Sequence, residues 1–362
     1  MPYVETDLSA IGKLLSLDVI NNNGLLLLKK ESIVTHVDIG LLQGHKIKEF
    51  NVNHQADLSC LGPPQERNAA VHKHLHVQTS HFRETAPRYT CAMKQTKKLF
   101  SKITETYIPS LQEFTTAFFP LLDQVLKPTG APYPIYLVEG SDEYTYRHSI
   151  NVGILAALIG KLMNGTREEI IRMGQSGLLH DAGKMLIPQE ILMKPDRLTP
   201  DEYEVMKMHT IYGYNLLQHM EGVNETILQC TLLHHERKDG SGYPEGRSGG
   251  QIPMECQILA VADIFDAICS DRVYKKRSSP FEAAKILWEL ACRGHLHAEV
   301  VTRFIHYISM LYVGCRAILN SGEEVEVILI HEDEPLRPLV RRGFDYMDLR
   351  TERTLYIDQM IG

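Results

Sequence analysis

From about residue 140 to residue 312 the chain sets one capped helix start after another, and no other feature limits its architecture as much. Thr166 is followed three residues on by Glu169, Thr199 by Glu202 and Ser279 by Glu282, the last two with proline at the first helical position. A hydroxyl at the cap and a glutamate three residues later satisfy two otherwise unpaired amides, and proline there forfeits no hydrogen bond. Gly165, Gly222 and Gly294 punctuate the run. Helices are expected over 144–163, 166–180, 200–219, 224–235 and 254–270. Each is only moderately amphipathic, so they should bury one another in a bundle.

The flanks read differently. Residues 1 to about 60 look like short strands and turns, with Asn22-Asn23-Gly24 a turn signal ahead of the apolar Leu25–Leu28. Residues 60–88 look loop-like, with Gly62-Pro63-Pro64 and a polar stretch in which His72, His74 and His76 alternate. No carboxylate or cysteine accompanies that trio, so it is read as exposed imidazole. Helical periodicity spans 89–127 through Leu99, Ile103, Tyr107, Leu111, Phe114 and Phe118, and the proline-rich Lys127–Pro134 marks a boundary. Beyond Gly314, Glu324 and Glu326 alternate with Val325 and Val327, the pattern of a small β-rich appendage. The expected organisation is mainly α: an N-terminal α+β region at 1–134, a helical bundle at 135–313 and a β-rich segment at 314–362.

Composition narrows the functional classes. A net charge of −7 argues against non-specific binding to a long nucleic acid. It leaves room for a small anionic substrate held by a local basic patch, and Arg272, Lys275, Lys276 and Arg277 form one. The chain has neither a long apolar run nor a basic start followed by an apolar stretch, so no membrane span or signal peptide is expected and the cytoplasm is the expected compartment. The seven cysteines are scattered without a Cys-x-x-Cys pair and read as reduced, mostly buried thiols rather than metal ligands.

Chemistry concentrates inside the helical run. His234-His235-Glu236 leads straight into Asp239-Gly240-Ser241-Gly242-Tyr243-Pro244; His180-Asp181 stands upstream, and Asp263 and Asp266 lie three apart downstream. Imidazoles and carboxylates together bind borderline divalent metals, and a carboxylate can bridge two of them. The candidate ligands are His148, His180, Asp181, His209, His234, His235 and Asp263. A lone helical histidine is usually a hydrogen-bonded bystander; seven such groups in one helical region favour a metal cage built from several helices. Asp266 and Glu236 are expected to orient imidazoles from behind. The glycine-rich loop from Asp239 to Pro253 suits close approach of backbone to a ligand, with Tyr243 offering a flat face at the mouth of the site.

In order along the chain, His148, His180-Asp181-Ala182-Gly183-Lys184, His209, His234-His235-Glu236, Asp239 to Pro244, Ile252-Pro253, Asp263-Ile264-Phe265-Asp266-Ala267 and Arg272-Val273-Tyr274-Lys275 resemble the HD-GYP domain of the HD metal-dependent phosphohydrolase superfamily. The resemblance implies an HD-type helical bundle, a centre of two or three metals, and hydrolysis of the bacterial messenger cyclic di-GMP to linear pGpG, or onward to GMP. It places the metal ligands on the seven residues above, with Asp181 bridging. It assigns Lys184 to catalysis and phosphate binding, Arg272 and Lys275 to substrate contacts, and Gly242, Tyr243 and Pro244 to the substrate loop. Iron or manganese leads the expected metals, with nickel, cobalt and zinc behind. Members with a third metal have a glutamate four residues before the first histidine. Tyr144 stands there instead, and the adjacent Glu143 would point about 100° away around the helix, so two metals are expected. Alternative substrates are pGpG, cyclic GMP-AMP and guanosine tetraphosphate. A different class is a non-catalytic sensor, or a module docking a diguanylate cyclase through the Gly-Tyr-Pro loop. The N-terminal portion is read as regulatory, localising or dimerising, with a homodimer among the outcomes.

Overall fold

The computed structural model describes residues 3–6, short pieces of 14–53 (14–15, 17, 19–20, 26–28, 34, 42 and 47–53), 69–104, 107–127, 144–270 and 280–361. It divides into two compact units, Met1–Lys73 with His306–Gly362 and His74–Ile305. No helix among the described residues is long and apolar enough to cross a membrane.

In the first unit the described N-terminal residues form short antiparallel strands. β1 (Tyr3–Glu5) and β2 (Leu14–Leu15) flank β5 (Glu49–Asn53), while β3 (Val19–Ile20) pairs with β4 (Leu26–Leu28). Asn22-Asn23-Gly24, the expected turn, lies outside the described residues, but the strands on either side of it pair antiparallel, Val19 opposite Leu28. Leu15, Val19, Leu28, Val34, Leu42 and Phe50 make their core. The C-terminal residues build a five-stranded antiparallel sheet in the order β10-β6-β7-β8-β9, from Arg316–Leu319, Glu324–Leu329, Leu339–Arg342, Asp345–Asp348 and Ile357–Ile361. Its alternation buries Val325 and Val327 and leaves Glu324 exposed, the period-2 pattern read from the sequence.

The second unit is helical. α1 (Ala69–Phe100) and α2 (Leu111–Val125) precede α3 (Tyr144–Leu162), α4 (Arg167–Leu179), a 3₁₀ turn (Ala182–Leu186), α5 (Gln189–Leu192), α6 (Pro200–Lys207), α7 (His209–Leu217), α8 (Glu225–Leu233), α9 (Met254–Cys269), α10 (Pro280–Cys292) and α11 (Ala298–Met310). Thr166 and Thr199 cap α4 and α6 with reciprocal bonds from Glu169 and Glu202, as their spacing predicts. Ser279, the third expected cap, lies outside the described residues.

Three expectations are corrected. Residues 69–88 are helical rather than loop: between Asn68 and Ala86 there is neither glycine nor proline, so polar composition alone does not break the helix. The side chains of His72, His74 and His76 lie outside the described residues. The periodicity over 89–127 is two helices: α1 ends at Phe100, and after Pro109 the Ser110–Glu113 capping box makes a fresh start. The helix expected over 200–219 breaks at Met208, so His209 opens a new one.

Tyr89, Phe100, Phe114, Phe118 and Leu121 from α1 and α2 share one buried cluster with Ile150, Ile154, Leu178 and Leu179 from α3 and α4. Each fully buried side chain of this kind stabilises by about 1.5–3 kcal/mol. The border expected at residues 134/135 falls inside this unit, since the cluster draws on both sides of it. α3 lies along α4 and α9, α8 packs on α4 and α7, and the 3₁₀ turn lies on α7, which sets the four histidine-bearing helices α3, α4, α7 and α8 around one point.

Candidate metal centre

Each ligand candidate stands at an inward-facing helix position or a helix end. His148 sits in the first turns of α3, His180 caps the end of α4 with Asp181 next to it, His209 begins α7, His234 caps the end of α8, and Asp263 lies in α9. Gly183 makes one of these approaches feasible. A Cβ on it would stand 1.9 Å from the His209 carbonyl oxygen and 2.4 Å from the Gly213 nitrogen, so only glycine lets the turn after Asp181 close on α7.

Asp181 is at the centre. Its Oδ2 lies 3.5 Å from His148 Nε2 and 3.3 Å from His180 Nε2, while Oδ1 lies 3.4 Å from His209 Nε2 and 3.9 Å from His234 Nε2. Asp263 Oδ1 completes the first group at 3.1 Å from His148 Nε2, and its Oδ2 is 4.0 Å from His235 Nδ1. Three sets of potential ligand atoms emerge: His148, His180 and Asp263; His180, Asp181 and His234; His209, His234 and His235. All seven candidates are brought together.

The imidazoles are oriented from behind. Nδ1 of His180 donates to the Gly177 carbonyl at 2.7 Å, that of His209 to Met206 at 2.7 Å, and that of His234 to Thr231 at 3.0 Å, each three residues back along its own chain. With Nδ1 committed to a carbonyl, the neutral ring presents a bare lone pair at Nε2. Burial holds His209 at a pKa of about 4 and lowers His234 and His235 as well, so these rings are neutral at pH 7. His209 Nε2 and His234 Nε2 then face each other at 3.4 Å as two lone pairs, an arrangement that calls for a cation between them. His180 Nε2 and Asp181 Oδ1 are likewise buried without a hydrogen-bond partner among the described residues. Unpaired buried polar atoms are costly, and a divalent ion would satisfy all of these at once, so the donor set fits metal.

The carboxylates stay charged. Burial alone would raise Asp181, but His180 and Lys184 beside it hold it well below the usual range; Asp263 is lowered in the same way, with His148 its leading partner. His148 behaves oppositely: burial pulls it down, yet hydrogen bonds to Asp263 and Asp266 outweigh this and lift it to about 9. Lys184 Nζ sits 2.5 Å from Asp181 Oδ2. The deep members are almost fully buried, whereas Asp263, His235 and Lys184 keep 11, 19 and 23% of their side chains exposed, so the centre opens to solvent on that side.

Asp266 lies where the spacing put it. Its Oδ2 accepts from His148 Nδ1 at 2.7 Å and Ser270 Oγ at 3.1 Å, and its Oδ1 accepts from Asn151 Nδ2 at 2.8 Å. Asn151 Oδ1 in turn accepts from the Tyr89 hydroxyl at 2.8 Å. Burial and the nearby Asp266 push the Tyr89 phenol well above its usual pKa, so it remains a donor. Sequence reading missed Asn151, Ser270 and Tyr89. Asn151 follows His148 by three residues on the same helical face, a local signal, whereas Tyr89 is 62 residues away and leaves none.

Glu236 does something else than expected. Its Oε1 accepts from the Glu245 amide at 2.8 Å, and Oε2 is buried with no partner among the described residues, so it pins the glycine-rich loop rather than an imidazole. The cause is the turn that follows α8, which carries Glu236 away from the histidines while the loop folds back on it. Gly242 also has a packing role of its own. Its open face is pressed against its own chain, a Cβ there falling 2.4 Å from Glu236 Cα and 2.5 Å from the His235 carbonyl oxygen. This close approach seats Tyr243, whose ring stacks on His235 with centroids 4.7 Å apart. Tyr203 from α6 meets the Tyr243 ring edge-on at 6.4 Å, and Lys207 Nζ lies 5.6 and 5.7 Å from the two ring centres. Tyr243 is raised by burial, with Tyr203 and the carboxylates adding to it, so its hydroxyl stays protonated. Pro244 follows Tyr243 in the same loop. Arg272, Lys275 and the Tyr144 side chain lie outside the described residues.

Helices converging histidines and aspartates on one buried point define a class of helical metal-site protein. Residues 133–300 match a family described as HD domain. The chain is 35% identical over 220 residues to a cyclic di-GMP phosphodiesterase of Pseudomonas aeruginosa, and 39% identical over 199 residues to one of Thermotoga maritima. It is 34% identical over 165 residues to a 3′3′-cGAMP-specific phosphodiesterase of Vibrio cholerae. These matches cover 61, 54 and 45% of this chain and 53, 51 and 38% of those proteins, so the chain spans about half the length of the first two relatives. Over residues 133–300 the chain is therefore similar to the HD domain, and its Gly242-Tyr243-Pro244 loop is the feature that resembles the HD-GYP kind.

Proposed function

We propose that the chain is a metal-dependent phosphodiesterase that opens cyclic di-GMP to linear pGpG. One observation carries the reading: the two oxygens of Asp181 face separate imidazole pairs, His148 with His180 and His209 with His234. A carboxylate divided in this way suits two closely spaced ions. His148, His180, Asp263 and Asp181 Oδ2 would hold one, and His209, His234, His235 and Asp181 Oδ1 the other. A purely nitrogen and oxygen donor set favours iron or manganese, with nickel, cobalt and zinc accepted by the same groups. Tyr144 offers no carboxylate one turn before His148, which argues for two ions over three.

When bound, such ions supply Lewis acidity toward a phosphoryl oxygen and a water acidified toward neutral pH. The rest falls to the chain. Lys184, next to Asp181 and partly exposed, would neutralise charge growing on the non-bridging phosphate oxygens. Arg272 and Lys275 would hold the second phosphate or a guanine edge. Tyr243, fixed on His235 and flanked by Tyr203 and Lys207, would give a base a flat wall with a cation beside it. Attack in line with the leaving 3′ oxygen then opens the ring.

Relatives named for cyclic di-GMP and for 3′3′-cGAMP both match, which supports cyclic GMP-AMP as a second substrate. The test is to count metals in anaerobically purified protein and compare initial rates on cyclic di-GMP, 3′3′-cGAMP and pGpG, tracking pGpG and GMP as products. Two metals per chain and fastest turnover of cyclic di-GMP are expected. An unchanged rate after the metal is stripped would overturn the reading.

A further inference from the structure

α1 lies before the residues that match the HD domain, yet one of its side chains is wired to the metal centre. Tyr89 Oη donates to Asn151, Asn151 donates to Asp266, and Asp266 accepts from Nδ1 of His148, over distances of 2.8, 2.8 and 2.7 Å. All four groups are buried, at 1, 2, 0 and 2% exposure.

The direction of each bond is forced. A carboxylate only accepts, so Asp266 requires the NH₂ side of Asn151 and the N–H of His148. The amide of Asn151 must therefore turn its oxygen toward Tyr89, and that oxygen needs a donor, which the phenol supplies. The same logic fixes His148 with Nδ1 protonated and Nε2 aimed at Asp181 and Asp263. Without the hydroxyl, the Asn151 oxygen is buried and unpaired, and the amide gains by turning away from Asp266.

We infer that Tyr89 is a positioning residue for the metal centre, acting through Asn151 and Asp266 to hold His148 in its ligating orientation. The inference rests on the metal reading above. It also implies that the catalytic body includes α1, so the unit that binds metal begins well before residue 133.

The test uses the full chain and three variants: Tyr89→Phe, Asn151→Ala and the double variant, with Phe114→Leu as a core control. Phe114 shares the buried cluster with Tyr89 but no bond of the chain. Manganese affinity is measured by chelator competition, and thermal melts are recorded with the metal removed. Partners behind a ligand typically affect metal affinity by about 10- to 100-fold, and Tyr89→Phe, one bond further out, is expected at about the lower end. Tyr89→Phe should add nothing in the Asn151→Ala background, because the chain is already cut there. Phe114→Leu should lower the melting temperature while leaving manganese affinity within about twofold.

Equal affinity in Tyr89→Phe and the unaltered chain would overturn the inference, as would additive losses in the double variant or an equal loss in Phe114→Leu. Failure of the unaltered chain to bind manganese would instead overturn the metal reading itself.

Discussion

Gly183→Ala isolates the geometry around Asp181 without touching a single candidate ligand. The added Cβ would fall 1.9 Å from the His209 carbonyl oxygen, and real Cβ contacts do not go below 3.0 Å, so the gap must open by about 1.1 Å. Both surfaces in contact are backbone, the 3₁₀ turn on one side and the start of α7 on the other, and neither can rotate out of the way. Asp181 immediately precedes the 3₁₀ turn and His209 opens α7, so widening this gap is expected to lengthen the Asp181 Oδ1 to His209 Nε2 separation, now 3.4 Å. A misplacement of about 1 Å costs on the order of 100-fold in rate when it falls on a group that positions a reaction. Overpacking also costs about 1–3 kcal/mol of stability, a fall of several degrees in melting temperature for a unit of this size. Metal analysis, initial rates on cyclic di-GMP and a melt on the same preparation separate the two effects. The expected outcome is a folded protein that keeps the ion of His148, His180 and Asp263, loses most of the one held by His209, His234 and His235, and turns over at about 1% of the normal rate. Two metals at full occupancy with an unchanged rate would refute the argument that this contact sets the distance between Asp181 and α7.

Other consequences follow from the same contacts. Asp181→Ala removes the shared carboxylate and should abolish both metal content and turnover, measured on one sample by elemental analysis and rate. In the metal-free protein His148 titrates near 9, and as a ligand its Nε2 carries no proton, so metal uptake at pH 7 should release about one proton from it. Affinity should accordingly rise with pH up to about 9 and then level off, and calorimetry in two buffers of different ionisation heat reads the proton directly. Tyr203→Ala and Lys207→Ala should raise KM for the dinucleotide with little change in kcat; loss of a stacking surface costs about 1–3 kcal/mol, or roughly 5- to 150-fold. Glu236→Gln keeps an acceptor for the Glu245 amide and should leave KM near normal, whereas Glu236→Ala frees the loop and should raise it.

What the sequence disclosed and what it withheld divide along a physical line. The candidate ligands were legible because imidazole and carboxylate side chains are expensive to bury, so their density in apolar helices signals a common purpose before any fold is known. Capping boxes were legible because they act within four residues, as at Thr166 and Thr199. The helix over 69–88 was not, since its polar residues look the same in a loop and in a solvated helix. Glu236 was misjudged for a related reason: adjacency to His235 in sequence says nothing of direction once a helix has ended, and the chain turns within one residue. Tyr89 belongs to the same class, because its bond to Asn151 exists only after α1 has been laid against α3. Local rules therefore recover the candidate ligands, and tertiary packing decides which groups aim them. The support behind His148 is assembled from α1, α3 and α9, so the orientation of the first ligand is a property of the whole helical unit and should weaken whenever α1 is displaced, even with every ligand in place.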